Sequence, residues 1–239
     1  CHPAPLRVGL AGLGYAGATL HAPLITATPG LDLVAVASHN PLRVEATLGP
    51  QVQVMPQAED LARWPGIDLL VIATPNDTHA ALAAAALRAG KHVVVDKPFA
   101  LSAEQAAPLL HLAQQAGCLL SVFHNRRWDA DFLTAQALLA QGTLGRITEA
   151  RLHFDRFRPV VRERWREGAG PGAGLWSDLA PHLLDQALQL FGWPESLQAD
   201  LMTLRDGGLS DDAFECRLRY ANGLRVTLGA SMLMALPGP

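Results

Sequence analysis

The stretch "LRVGLAGLGYAG", residues 6–17, decides the fold. A short apolar run enters a cluster of glycines, and "ATLHAPLITAT" after it reads as a helix that stops before Pro29-Gly30. Gly12, Gly14 and Gly17 stand in the Gly-x-Gly-x-x-Gly spacing between that strand and that helix. Gly12 permits a tight turn, Gly14 leaves room for a pyrophosphate, and Gly17 lets helix and strand pack closely with the helix start facing the phosphates. The alternative is a glycine turn with a purely structural role.

The pattern repeats outward from this stretch. "LDLVAVAS", "IDLLVIAT", "KHVVVD" and "CLLSVF" are apolar runs without alternation, separated by helical segments such as "THAALAAAALRAG" and "SAEQAAPLLHLAQQAG". Continuous apolar strands alternating with helices require a parallel sheet covered on both faces. Residues 1–123 are therefore expected to form a doubly wound α/β domain. From residue 124 the pattern changes: in "FECRLRY" Phe214, Cys216, Leu218 and Tyr220 point one way and Glu215, Arg217 and Arg219 the other, and Asn222-Gly223 offers a hairpin turn. Residues 124–239 are read as a separate α+β domain with an open, mainly antiparallel sheet.

Composition narrows the function. With 239 residues, 49% of them apolar, and a formal charge of -3, the chain can bury a substantial core and carries no concentrated basic stripe, which argues against nucleic acid as a partner. A small molecule is the expected partner. Cys1, Cys118 and Cys216 are odd in number and widely spaced, so no disulfide framework or metal site is expected. The apolar runs fall short of the ~20 residues needed to cross a bilayer, and the N-terminus shows no signal-peptide profile, so the expected location is the cytoplasm. The start at Cys1 and the ending "ALPGP" suggest a chain cut from something longer.

Several residues are candidates for chemistry. About twenty residues after the glycines, where NAD sites place an acidic side chain, the chain reads Ser38-His39-Asn40. Without a carboxylate to repel a 2′-phosphate this leans toward NADP, although Asn40 or a backbone amide can hold an unphosphorylated ribose, and an ordinary loop is the alternative. Thr74, Pro75 and Asn76 fall at the carboxyl end of a strand, on the ligand edge of such sheets, and His79 follows as a cofactor contact or a helix-terminal surface histidine. Lys97 ends the next strand on that edge, held between Asp96 and Pro98. In "DLAPHLLDQALQLF", Asp178, His182, Asp185, Gln186 and Gln189 form a stripe opposite an apolar arc, with Asp178 and His182 spaced i, i+4. The stripe is either a cleft wall or solvated; Asp178 as helix N-cap would place Pro181 harmlessly in the first turn.

Together with "HNRRWDADF" and "GAGLWSDLAPHLLDQALQLFG", these motifs resemble the glucose-fructose oxidoreductase and inositol dehydrogenase family (Gfo/Idh/MocA) along nearly the whole chain. The resemblance implies a Rossmann domain followed by a substrate domain whose sheet often mediates homo-oligomerisation, here lacking its last part. Lys97 in Asp-Lys-Pro matches the family's Glu-Lys-Pro lysine, and Asp178 and His182 match its Asp-x-Gly-x-His motif, with Ala180 at the glycine position. Asn125 and Arg126 are similar to residues near the nicotinamide in relatives. The expected cofactor set is Gly12, Gly14, Tyr15, Gly17, Ser38, His39, Thr74, Pro75, Asn76, His79, Asp96, Lys97, Asn125 and Arg126. The implied activity is hydride transfer between NAD(P) and a secondary alcohol of a sugar or polyol. His182 is the expected general base, oriented by Asp178, and Lys97 a donor to the same oxygen, with all three converging beside Gly12 to Gly17. A catalytically silent dinucleotide sensor of the same fold is the alternative reading, and a structural subunit that oligomerises through its sheet is a further one.

Overall fold

β1 (Leu6–Ala11) lies inside a six-stranded parallel sheet with β2 (Leu31–Ala37), β3 (Gln53–Met55), β4 (Leu69–Ile72), β5 (His92–Asp96) and β6 (Leu120–Phe123), in the order β3-β2-β1-β4-β5-β6. The structure is a computed structural model that describes residues 4–235; the first three residues, Cys1 among them, and the final four lie outside them. Two compact units divide the chain, Cys1–Phe123 and His124–Pro239.

Successive strand residues in the first unit reach opposite faces, and both faces are buried. Val8, Leu10, Val36 and Val71 enter one core with Ile25 and Val44, while Ala35, Leu70, Ile72, Val93 and Val95 enter the other with Leu61, Leu82, Leu87 and Leu109. That double burial explains the absence of alternation, and each Val, Leu or Ile so placed contributes about 1.5–3 kcal/mol. The covering helices are α1 (Ala22–Ala27), α2 (Pro41–Leu48), α3 (Ala58–Arg63), α4 (His79–Arg88) and α5 (Ala103–Ala116). Strand order reverses between β1 and β4, so the ligand crevice expected for such a sheet opens at their carboxyl ends.

The helix after the glycines departs from the expected one. Its segment Gly17–His21 is a π-helical turn, in which the amide of Ala22 donates to Gly17 O, and α1 follows. Pro23 supplies a reason: it has no N–H for the carbonyl four residues back and its ring crowds that carbonyl, which a widened turn relieves.

In the second unit, α6 (Ala130–Ala140) precedes a four-stranded sheet of β7 (Glu149–His153), β8 (Ser196–Met202), β9 (Ala213–Arg219) and β10 (Arg225–Ser231), ordered β7-β10-β9-β8. β10–β9 and β8–β9 are antiparallel and β10–β7 is parallel, so the sheet is mixed. Phe214, Cys216 and Leu218 are buried beneath α7 (Leu175–Phe191), which inserts Leu179, Leu183 and Ala187. Burial pushes the Cys216 thiol up to about 11. At the β9–β10 hairpin, Gly223 takes φ 85° and Asn222 Oδ1 accepts from the Leu224 amide at 3.0 Å.

α7 starts earlier than expected. Its cap is Gly174, at φ 95°, and Asp178 lies inside the helix rather than at its N-cap, with Pro181 in the interior. The first amides are satisfied from outside the local sequence: Leu175 N donates to Asp211 O at 2.8 Å and Trp176 N to Asp211 Oδ2 at 2.6 Å. Burial pushes the Asp211 carboxyl above its usual range, and Asp212 adds to this against the amide hydrogen bonds.

Candidate functional site

The first group of site residues lies along the carboxyl edge of the parallel sheet. Gly12 leaves β1 with φ 95°, and a Cβ there would stand 2.7 Å from Ala73 O. A Cβ on Gly17 would stand 2.1 Å from Gly12 O. Both glycines are therefore required by the turn itself. Gly14 differs, because a Cβ there would meet nothing within 4 Å. Its missing side chain opens outward space rather than relieving a contact in the protein, which fits a backbone approached by a pyrophosphate. Tyr15, next to it, is 80% exposed.

After β2, Ser38 Oγ accepts from the Asn40 amide at 3.2 Å, and Asn40 Oδ1 accepts from the Arg43 amide at 3.0 Å as the N-cap of α2. Asn40 is thus committed to the helix start, while His39 and Arg43 are exposed. After β4, Thr74 and Thr78 share a hydroxyl hydrogen bond of 2.6 Å, and Asn76 is buried in a 3-10 turn.

His79 is not at the surface. It is 1% exposed, with Nδ1 2.8 Å from Pro98 O and Nε2 2.9 Å from Thr74 O. Both partners only accept, so the ring is a donor at each contact it closes: the neutral imidazole can satisfy one and the imidazolium both. His79 thereby ties the β4 turn to the residue after Lys97, a positioning arrangement rather than a ring aimed outward.

The Lys97 amide donates to Asp96 Oδ1 at 2.7 Å, and the Lys97–Pro98 peptide is cis. Asp96 also lies 3.5 Å from Nε2 of His21, whose buried ring is tilted by 44° against Phe123 with centroids 4.3 Å apart. Burial pushes the Asp96 carboxyl up, but His21 and the Lys97 amide outweigh it and hold it below its usual range. His21 carried no signal in the sequence, because its role depends on a strand some seventy-five residues away.

In the second unit most of the polar stripe of α7 is buried. His182, Asp185 and Gln186 are buried, while Gln189 is exposed. Arg127 donates to both Asp185 oxygens, at 2.7 and 2.5 Å, and Gln186 Nε2 donates to Arg126 O at 3.2 Å. Those partners belong to the 3-10 turn Asn125–Trp128, so the "HNRRW" segment is held against α7. Arg126 sits 4.8 Å above the Phe154 ring, and His182 meets the same ring edge-on at 6.4 Å. Asp178 lies 3.6 Å from Arg166 Nε. The stripe thus brings Arg126, Asp178 and His182 to one side of this unit, whereas Gln189 plays no part. Among the described residues no cluster of three or more His, Cys, Asp or Glu side chains is suited to a metal, and no helix is long and apolar enough to cross a membrane.

The strand order and the glycine turn define a Rossmann-type nucleotide-binding protein with a second, mixed-sheet domain. Residues 6–124 match the family described as "Oxidoreductase family, NAD-binding Rossmann fold", and residues 132–238 match the GFO/IDH/MocA C-terminal domain. The chain belongs to the Gfo/Idh/MocA family. It is 56% identical over 230 residues to the uncharacterized oxidoreductase YdgJ of Escherichia coli K12, covering 96% of this chain and 66% of that protein. It is 35% identical over 230 residues to scyllo-inositol 2-dehydrogenase (NADP(+)) IolW of Bacillus subtilis, covering 96% of this chain and 64% of that one. The solved structure of the YPO2259 protein from Yersinia pestis superposes with a TM-score of 0.91 at 54% identity, over 98% of this chain and 65% of that one. The chain therefore spans about two thirds of the length of these relatives.

Proposed function

We propose that the protein is an NAD(P)-dependent oxidoreductase that moves a hydride between the nicotinamide and a secondary alcohol or ketone of a sugar, polyol or related small molecule. The observation that carries this is the open space at Gly14, beside the point where the order of a parallel sheet reverses. The relative named for scyllo-inositol and NADP supports the substrate class. NADP is the favoured cofactor: no carboxylate stands between β2 and α2, and the exposed Arg43 offers positive charge to a 2′-phosphate.

The Gly12–Gly17 turn and the Thr74–Asn76 turn would hold the dinucleotide along the sheet edge. When bound, the nicotinamide supplies the hydride acceptor for alcohol oxidation, or the donor for the reverse reaction. His182 accepts the hydroxyl proton as the carbonyl forms and returns it in reduction. Asp178, one helical turn away on the same face, orients the imidazole. Lys97 donates to the reacting oxygen and stabilises its developing negative charge. Its backbone is positioned by Asp96, and the adjoining Pro98 carbonyl by His79.

Fluorescence titration with NADPH and NADH, followed by turnover against a polyol and sugar panel, tests the proposal. Tighter NADPH binding and turnover of at least one panel member are expected. Tighter NADH binding would reverse the cofactor preference, and binding without any turnover would favour a dinucleotide sensor.

A further inference from the structure

The loop between β7 and α7 carries Arg156, Arg158, Arg162, Arg164 and Arg166. Its first part is fixed as an extended strap: Arg156 N donates to Ser231 O at 2.8 Å, Arg158 N to Met232 O at 2.7 Å, and Met234 N to Arg156 O at 3.1 Å. Side chains two apart on an extended chain share a side, so Arg156 and Arg158 project together while Phe157, 60% exposed, projects away.

A buried ion cluster fastens the strap. Arg205, its side chain only 4% exposed, reaches Asp212 and Glu167 at 3.0 Å each and donates to Arg158 O at 3.1 Å and Val160 O at 3.4 Å. Glu167 also accepts from Arg162 N at 3.0 Å and Arg164 Nε at 2.6 Å. The ordering of these groups is thus settled before any ligand arrives.

The ion pairs take up only some of these arginines. Arg164 faces Glu167, Arg166 faces Asp178, Arg126 faces Asp129, and Arg205 has two carboxylates. Among the described residues no carboxylate lies within ion-pair distance of Arg156 or Arg158. Arg156 is half-buried: burial and the neighbouring Arg158 push its pKa down, with Arg126 and Arg164 adding to this and Asp178 opposing it. Arg156 is thus within electrostatic reach of Asp178, the residue assigned to the proposed chemistry. Two guanidinium forks projecting from one side of a strap whose backbone is fixed match the paired oxygens of a carboxylate or a phosphate.

We propose that Arg156 and Arg158 form an anion subsite, so that the substrate carries a carboxylate or a phosphate monoester in addition to its reacting hydroxyl. The link to a reacting hydroxyl rests on the oxidoreductase reading; the anion subsite does not.

Calorimetric titration with gluconate and with inorganic phosphate tests it, using myo-inositol as the neutral probe. The wild type is expected to bind at least one anion and the Arg156→Gln/Arg158→Gln variant to bind it at least about tenfold more weakly, with NADPH affinity unchanged. Arg156→Lys, which keeps the charge and loses the fork, should give a partial loss even if the double variant folds poorly. Arg151→Gln, on the exposed side of β7, should match the wild type. The tighter of the two anions identifies the carboxylate or the phosphate as the natural group. In turnover, anionic panel members should show a KM at least about tenfold below neutral ones. Failure of the wild type to bind either anion, or binding that the Arg156 and Arg158 variants leave unchanged, would overturn the subsite. Anion binding without turnover of any panel member would keep the subsite and remove the dehydrogenase reading; turnover of neutral polyols with no anion binding would do the reverse.

Discussion

Three glycine-to-alanine substitutions in the fingerprint should separate folding from binding. At Gly14 the backbone is outside the left-handed region and a Cβ meets nothing within 4 Å. Gly14→Ala should therefore be neutral or stabilising by about 0.4–1 kcal/mol, since alanine narrows the unfolded ensemble. The same methyl would occupy the space assigned to the pyrophosphate, so dinucleotide affinity should fall at least tenfold, which is about 1.4 kcal/mol. Gly17→Ala is the opposite case, with its Cβ only 2.1 Å from Gly12 O. The strand and helix must separate, at a cost of about 1–3 kcal/mol or more. Gly12→Ala adds the strain of φ 95° to a 2.7 Å contact with Ala73 O. Urea denaturation gives the stabilities and NADPH fluorescence titration the affinities. A Gly14→Ala protein that is stable and binds NADPH and NADH like the wild type would refute the assignment of that space, and one that unfolds would refute the reading of Gly14 as structurally idle.

His79→Leu should lower stability by about 2–4 kcal/mol, because the Pro98 and Thr74 carbonyls would lose a buried donor; denaturant melts measure it, and an unchanged midpoint would contradict the tether. Asp185→Asn should cost about 1–2 kcal/mol, reduced by the 41% exposure of the Arg127 side chain, and should free the Asn125–Trp128 turn to faster hydrogen exchange. Hydrogen bonds from the Arg7 side chain and amide lower the Asp68 carboxyl from 3.8 to about 2. A depressed folded-state pKa contributes stability above pH 3.8 that is lost as pH falls through about 2, so Asp68→Asn should flatten the acid limb of the stability profile in that window, read as urea midpoints against pH.

The parallel sheet was legible because double burial leaves a mark on every residue: "VVVD" and "LLVI" have no wet face to report. The alternation of Phe214, Cys216 and Leu218 was equally open to reading, since one face of β9 packs under α7. The parallel pairing of β7 with β10 was not, because it is set by which strands meet across the sheet rather than by either strand's pattern. The start of α7 was misplaced for a related reason. Local capping rules pointed to Asp178, but the cap position is Gly174 and the first amides are satisfied by Asp211, more than thirty residues further on. The polar stripe of α7 was visible as a stripe, either a wall or solvated, but the partner that covers Asp185 was not, because Arg127 lies 58 residues earlier. His79 shows the same limit, since only the fold brings Pro98 O to its ring.

The most direct measurement is hydride transfer by the Lys97→Ala protein, with cofactor binding recorded on the same samples. The account predicts that NADPH binding is retained while kcat falls at least about a hundredfold on whichever polyol or sugar the wild type turns over. A Lys97→Ala protein that turns over at the wild-type rate, or a wild type that binds neither NADPH nor NADH, would contradict it.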